Sequence, residues 1–201
     1  MRNSAVVLCL ALAACDEGGG GAVDAGSDPD AGDAIEAYGE GCTSGMETAD
    51  VVYQSAIRHE EEDFWIYEGI IDGDVMWPPV TMLQLEIRPG MGGPAGPGTY
   101  AIAPGPYAEC GLCLLVREAC RPEDGVARCE RDYLAVEGTV EIVELGAVGE
   151  MLSGSITGAV LEEALIDWDS GAFGSEPVVD GLTWCLGSME IEIGVSPYPA
   201  R

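Results

Sequence analysis

Cysteines are the residues whose type and spacing most directly suggest chemistry in this chain of 201 residues. Cys110 and Cys113 are separated by Gly-Leu, which is the spacing of a reactive dithiol in thiol-disulfide oxidoreductases. That chemistry requires the first thiol at the N-terminus of a helix, where the dipole lowers its pKa. The surrounding sequence has no strand-helix-strand pattern, so we expect a structural disulfide at this motif and keep a redox site as the alternative.

The cysteines beyond residue 15 are Cys42, Cys110, Cys113, Cys120, Cys129 and Cys185. An even number of cysteines in an exported chain predicts disulfides, here three. Cys120 and Cys129 flank an acidic turn between two candidate strands, so we expect them to bond to each other. The other four then pair among themselves in an order that stays open. Zinc is disfavoured because structural sites usually take two Cys-x-x-Cys pairs, and we expect no metal and no cofactor.

Hydrolytic chemistry finds little support in the residue types. His59 is the only histidine, and the run that it opens has Asp63 where a zincin motif requires a second histidine. No Gly-x-Ser-x-Gly segment occurs in the sequence. A carboxylate pair acting as in a glycosidase stays an alternative, but acidic residues are so abundant that none stands out. We assign no catalytic residue and predict a non-enzymatic protein.

Five aromatic side chains suit either a carbohydrate platform or a packed core. They are Trp65, Tyr67, Trp77, Trp168 and Trp184. Large aromatic side chains contribute heavily to the cores of folded domains, so we predict core packing for this set.

Charge restricts the classes of partner. The chain has 36 acidic residues against 8 basic ones, a formal net charge of −28, and contains no lysine. Binding to a phosphate backbone requires a basic surface, so we expect no nucleic-acid partner. Without lysine, P-loop and Schiff-base chemistries are also excluded. A protein or a glycan remains as the class of partner, and the sequence does not choose between them.

The segment Leu12-Ala13-Ala14-Cys15 resembles the lipobox of bacterial lipoproteins. It follows Arg2 and an apolar run over residues 5–14, which is too short to span a bilayer and typical of a secretory signal. The resemblance implies cleavage before Cys15 and attachment of lipid to its thiol, which would anchor the protein to the membrane. We therefore predict a signal peptide over residues 1–14 and lipidation of Cys15.

Composition changes again after the cysteine. Residues 15–41 are rich in Gly, Ala and Asp and contain no basic residue, so we expect a disordered tether. Its aspartates do not match the spacing of a calcium-binding loop. Residues 42–199 are long enough for a single domain with its own core.

Strand-like patterns dominate that domain. Alternation of apolar and polar residues occurs over residues 80–88, 136–145, 151–160 and 188–195, and further candidate strands are 51–57, 64–71, 99–103, 112–118 and 133–136. Turn signals, including Asp72-Gly73-Asp74, separate them. Many short strands with Gly and Pro between them predict an all-β domain, an antiparallel sandwich or a barrel-like sheet, stapled by disulfides. Residues 159–168 also fit a helical period, which we keep as an alternative.

The order of several blocks is similar to that in a recurrent class of bacterial lipoproteins with acidic linkers. The blocks are PGTY at 97–100, YAECGLCLLVREAC at 107–120, EGTVEIVEL at 137–145, SGSITGAVLEEALID at 153–167 and SEPVVDGLTWC at 175–185. The resemblance implies an extracytoplasmic β-rich domain with structural cysteines, and a strand over 159–167. It implies no activity.

These observations predict a lipid-anchored, extracytoplasmic binding or structural module of the bacterial cell envelope. The choice between the inner and the outer membrane stays open. The alternative is an extracytoplasmic enzyme, either a thiol-disulfide oxidoreductase at Cys110 and Cys113 or a carboxylate-dependent glycosidase.

Overall fold

The computed structural model describes residues 41–74, 76–123, 126–168 and 174–198. These residues form eleven strands: β1 (Ser44–Thr48), β2 (Tyr53–His59), β3 (Phe64–Asp74), β4 (Trp77–Ile87), β5 (Gly98–Ala101), β6 (Leu112–Glu123), β7 (Val126–Arg128), β8 (Arg131–Leu145), β9 (Met151–Ile166), β10 (Ser175–Pro177) and β11 (Thr183–Pro197). Short 3-10 turns lie at Pro89–Met91 and Tyr107–Glu109. The predicted all-β fold is confirmed.

The strand pairings return to their starting point. Neighbouring strands follow the order β2-β3-β4-β6-β8-β9-β11, and β11 pairs again with β2. Of the two predicted architectures, the sheet therefore adopts the closed, barrel-like one. Most pairings are antiparallel, but β1 and β2 both run parallel to β11, one after the other along the same edge. The sheet is mixed, in place of the purely antiparallel one expected from the short connections.

The inner face of the closed sheet holds the main hydrophobic core. Every strand of the closed path contributes to it, with Tyr67, Leu85, Leu114, Tyr133, Ile156 and Met189 among the fully buried side chains. Burial of this apolar surface is the main force that favours the fold. The core includes Trp65, Tyr67 and Trp184, as predicted for these three aromatic residues.

The helical alternative for residues 159–168 is wrong. Strand β9 continues without interruption to Ile166, paired with β8 on one side and β11 on the other. The alternation slips by one residue at Gly158, which has a left-handed φ of 58°. Continued alternation from Ile156 would direct Val160 to the core. Because of the slip, Ala159 and Leu161 face the core in its place. Glycine is the residue that adopts such a conformation at little cost.

The turn that was predicted at Asp72-Gly73-Asp74 occurs after these residues, between the end of β3 at Asp74 and the start of β4 at Trp77. These residues belong to the end of β3, and register shifts against β4 occur on both sides of Asp72. Such irregularities mark β-bulges, which increase the local twist of a strand pair.

Candidate functional site

Strand β4 is buried on both faces, and its outer face carries charged groups. Gln84 and Glu86 are only 6% and 3% exposed, although alternation alone would direct them to solvent. They belong to a group that we call the outer cluster, formed by Glu68, Gln84, Glu86, Arg88, Tyr107, Arg117, Asp132 and Trp168. Strands β3, β4, β6 and β8 supply its floor, and the segments around Tyr107 and Trp168 cover it.

Glu86 lies at the centre of the outer cluster. Its Oε1 accepts hydrogen bonds from the Tyr107 hydroxyl, at 2.7 Å, and from the Gln84 side-chain amide. Arg88 forms an ion pair with its other oxygen. A buried carboxylate needs such partners, because an unpaired buried charge is very unfavourable.

Tyr107 closes the outer cluster from above. The Arg88 guanidinium lies 4.9 Å from the centre of the Tyr107 ring, and Trp168 meets that ring edge-on at 5.4 Å between centroids. The backbone N–H of Tyr107 donates to the Ser175 hydroxyl, at 2.8 Å, which ties the segment to β10. Burial, the nearby Glu86 charge and the hydrogen bond to Glu86 raise the pKa of the Tyr107 hydroxyl, which therefore stays protonated as a donor.

A second ion pair lies at the other end of the outer cluster. The Arg117 Nε donates to Asp132 Oδ1 at 2.8 Å, and the Trp168 indole N–H donates to Asp132 Oδ2 at 2.7 Å. Arg117 also lies 4.4 Å from the Trp168 ring centre. Trp168 is thus fixed by a hydrogen bond, a cation–π contact and the Tyr107 edge.

Glu68 is the acidic residue of the outer cluster with the clearest electrostatic perturbation. Burial raises the pKa of its carboxyl, Arg117 opposes that increase and Glu86 adds to it. A carboxyl with a raised pKa beside a second carboxylate resembles the acid and base of a glycosidase. Glu86, however, is only 3% exposed, hydrogen-bonded to Tyr107 and paired with Arg88, so it does not face a cleft as a glycosidase carboxylate must.

The described cysteines form three disulfides. Cys120 is bonded to Cys129 across the β6–β7 hairpin. This is the pairing that was predicted from the acidic turn between the two cysteines. Cys42 is bonded to Cys185, with Cα atoms 5.9 Å apart, and thereby joins the segment before β1 to β11. The remaining disulfide, Cys110 to Cys113, has Cα atoms 5.5 Å apart.

The Cys-Gly-Leu-Cys motif lacks the setting of a reactive dithiol. Cys110 follows the three-residue 3-10 turn, so it lies at the C-terminal end of that turn and not at a helix N-terminus. Cys113 is the second residue of β6 and is fully buried. The geometry supplies no helix dipole that would favour a thiolate at this motif.

His59 is held by aromatic packing at the end of β2. Its ring stacks on Phe64 at 4.2 Å and meets Tyr198 at 3.6 Å. Burial lowers the pKa of His59, whereas the charges of Glu62 and Glu86 oppose the change. No group of three or more potential metal ligands occurs among the residues that the structure describes.

A cleft of about 370 Å³ opens beside the Cys110–Cys113 disulfide. Gly, Ala and Pro residues around β5 and β6 form most of its walls, and Tyr100, Glu109 and Leu112 contribute the larger side chains. Its lining offers mainly backbone groups, which suits binding of another polypeptide more than the chemistry of a small substrate.

The predicted signal peptide (residues 1–14) and lipidated Cys15 lie outside the described residues, as does the predicted linker except for residue 41. The described part of the chain contains no helix that is long and apolar enough to cross a membrane. No protein-family model, curated protein or solved structure matches the chain. The resemblance to lipoproteins therefore stays a prediction.

Sequence reasoning missed the outer cluster. Alternation places Gln84, Glu86 and Arg88 on the polar face of β4, which is normally a solvated face. Nothing in β4 indicates that Tyr107 and Trp168, about 20 and 80 residues further along the chain, return to cover that face. The excess of apolar residues in β6, where Leu114, Leu115 and Val116 are consecutive, is the one signal of burial on both faces.

Proposed function

We propose that the chain is a lipid-anchored, extracytoplasmic module of the bacterial cell envelope, with a binding or structural role and no catalytic activity. The observation that carries this proposal is the register of residues 2–15, in which a positive charge, a short apolar run, two small residues and Cys15 follow one another. Each of these features alone is common. Their combination is the arrangement that a lipoprotein signal requires.

The strength of membrane attachment depends on the number of acyl chains on the cysteine. Each buried methylene contributes about 0.8 kcal/mol, and one acyl chain alone holds a protein only marginally. A lipoprotein cysteine carries two or three chains, so the attachment would be effectively permanent. A flexible linker of about 26 residues has a root-mean-square reach of roughly 28 Å, which would hold the domain clear of the lipid headgroups.

The described domain has properties that support an extracytoplasmic role. Three disulfides connect its strands and loops, as expected for a domain in an oxidising compartment. Its sheet is closed, and its buried ion pairs are enclosed by Tyr107 and Trp168. These features suit a robust module that displays surfaces and loops at the membrane.

The enzymatic alternatives have less support. Thiol-disulfide exchange requires an accessible, activated thiol, and the Cys110–Cys113 pair has no helix N-terminus beside it. Glycoside hydrolysis requires two accessible carboxyl groups on either side of a bond, and Glu86 is 3% exposed.

Substitution of the predicted attachment residue tests the proposal. Full-length Cys15→Ser, expressed in a bacterium with lipoprotein processing, should remain unprocessed or leave the detergent phase on Triton X-114 partitioning. The matched control is Cys9→Ser, which lies inside the predicted signal peptide and should partition like the wild type. A Cys15→Ser protein that is still processed and still enters the detergent phase would refute the anchor.

A further inference from the structure

Strand β5 is hydrogen-bonded along one edge only. It pairs with β8, from Gly98 opposite Ile142 to Ala101 opposite Thr139. The pairing continues at Ile102, whose N–H donates to the Gly138 carbonyl at 2.9 Å. No other described strand pairs with β5, so its second edge is open to a further strand.

The open edge carries a defined set of backbone groups. In an antiparallel pair, alternate residues direct their N–H and C=O groups to the partner strand. Because the Ile102 N–H donates to β8, this alternation directs the N–H and C=O groups of Thr99 and Ala101 away from β8. None of these groups forms a hydrogen bond with another residue of the described ranges. Unpaired edges of this kind template the addition of a strand.

The cleft of about 370 Å³ lies along this edge, and Ala101 and Ala103 are among its lining residues. Gly93 and Gly111 also line the cleft, and their backbones approach so closely that a Cβ on Gly93 would overlap the Gly111 carbonyl oxygen. Hydrogen bonds of 2.8 Å from the Arg88 N–H to Gly111 and of 3.1 Å from the Gly93 N–H to Arg88 fix this part of the lining. The space beside β5 is thus a built feature of the fold.

Charge indicates the chemistry of the occupant. Five arginines already form ion pairs with carboxylates of the same chain: Arg58, Arg88, Arg117, Arg121 and Arg131. The chain as a whole carries a formal net charge of −28, and a strongly negative field of this kind favours cationic partners. Exposed Glu109 lines the cleft, and exposed Glu141 lies opposite Thr99 in the strand pair. A second copy of this chain, or its own acidic linker, would be repelled.

We propose that the open edge of β5 is a docking site for an extended, basic segment of a partner protein, which adds a strand beside Thr99 and Ala101. Backbone hydrogen bonds would supply the contact, and Glu109 and Glu141 would favour lysine or arginine in the added strand. This inference deepens the proposed binding role by naming a site and a class of partner. It does not depend on lipidation, so the anchor and the docking site fail independently.

The test uses purified full-length protein and a fluorescent octapeptide of alternating Lys and Val, with binding followed by anisotropy. The wild type should bind this peptide, and Ala101→Pro should weaken binding at least about tenfold, because it removes one outward N–H. Proline is tolerated at sheet edges, and circular dichroism and the melting temperature verify that the variant is folded. Ala95→Pro, an exposed position next to the cleft but not in its lining, is the matched control and should bind like the wild type.

Two further peptides make the result decisive. In the first, alternate backbone nitrogens of the Lys-Val octapeptide are methylated, which removes N–H donors and leaves the charge unchanged. This peptide should not bind the wild type, and the comparison does not depend on whether Ala101→Pro folds. A Glu-Val octapeptide should not bind. The proposal is overturned by the absence of Lys-Val binding up to about 1 mM, or by equal binding of the methylated peptide. Binding that appears only after deletion of residues 16–41 would also overturn it, because the linker would then be the occupant.

Discussion

Tyr107→Phe isolates the hydrogen bond on which the buried charge of the outer cluster depends. The substitution removes only the hydroxyl, which donates to Glu86 Oε1 at 2.7 Å in a buried position. The ring remains, with its contacts to Arg88 and Trp168. Any loss of stability therefore reports on the donor and not on packing.

The magnitude can be worked out from the partners of Glu86. A hydrogen bond to a charged group contributes about 1.5–3 kcal/mol. Because the Gln84 amide and Arg88 still serve the carboxylate, we expect the lower part of that range, about 1.5–2 kcal/mol. For a domain of this size, each kcal/mol corresponds to about 2–4 °C in melting temperature, so Tyr107→Phe should melt roughly 3–8 °C below the wild type.

Urea denaturation and thermal melting, both with the disulfides intact, provide the assay. Tyr53→Phe is the control, because Tyr53 is 49% exposed and its hydroxyl has no hydrogen-bond partner among the described residues. It should change the free energy of unfolding by less than about 0.5 kcal/mol. If Tyr107→Phe has the same free energy of unfolding as Tyr53→Phe, the hydrogen bond from Tyr107 to Glu86 does not stabilise the fold and the reasoning is refuted.

Three further predictions follow from the same structure. Burial raises the pKa of Glu68 above its ordinary value in the folded state, so stability is lost as the pH rises through that raised pKa. Glu68→Gln should therefore be stabilising at about pH 8 and nearly neutral at about pH 4 in urea denaturation. Exposed Glu190→Gln is its control, and an equal effect at both pH values would contradict the burial of Glu68. Replacing Cys120 and Cys129 together by Ala should lower the free energy of unfolding by about 2–4 kcal/mol while the circular dichroism stays β-rich; a loss of β signal would contradict a purely local staple. Deletion of residues 16–41 should leave the melting temperature within about 2 °C, and a larger decrease would mean that this segment packs on the domain.

Much of the fold follows from local patterns. Alternation in the segments that became β4, β8, β9 and β11 identified them as strands, because side chains of a strand point in turn to opposite faces. The acidic turn between Cys120 and Cys129 also indicated their pairing. These features depend on residues that are neighbours in the sequence, which is why they can be derived without a structure.

The features that were missed depend on distant parts of the chain. Strand β1 is short and has no alternation, and it is held by parallel pairing to β11, some 140 residues away. The second covered face of β4 exists because Tyr107 and Trp168 pack over it. The slip at Gly158 shows how one left-handed residue changes which side chains of a strand face the core. Local periodicity carries no information on any of these contacts.

The mass of the mature N-terminus tests the central proposal most directly. The protein is extracted from the membranes of an expressing bacterium, digested, and its N-terminal peptide analysed by mass spectrometry. A lipid-anchored module predicts a peptide that begins at Cys15 and carries a diacylglycerol thioether, with no peptide from residues 1–14. A mature chain that begins at another residue, or one that contains Cys15 without lipid, would contradict it.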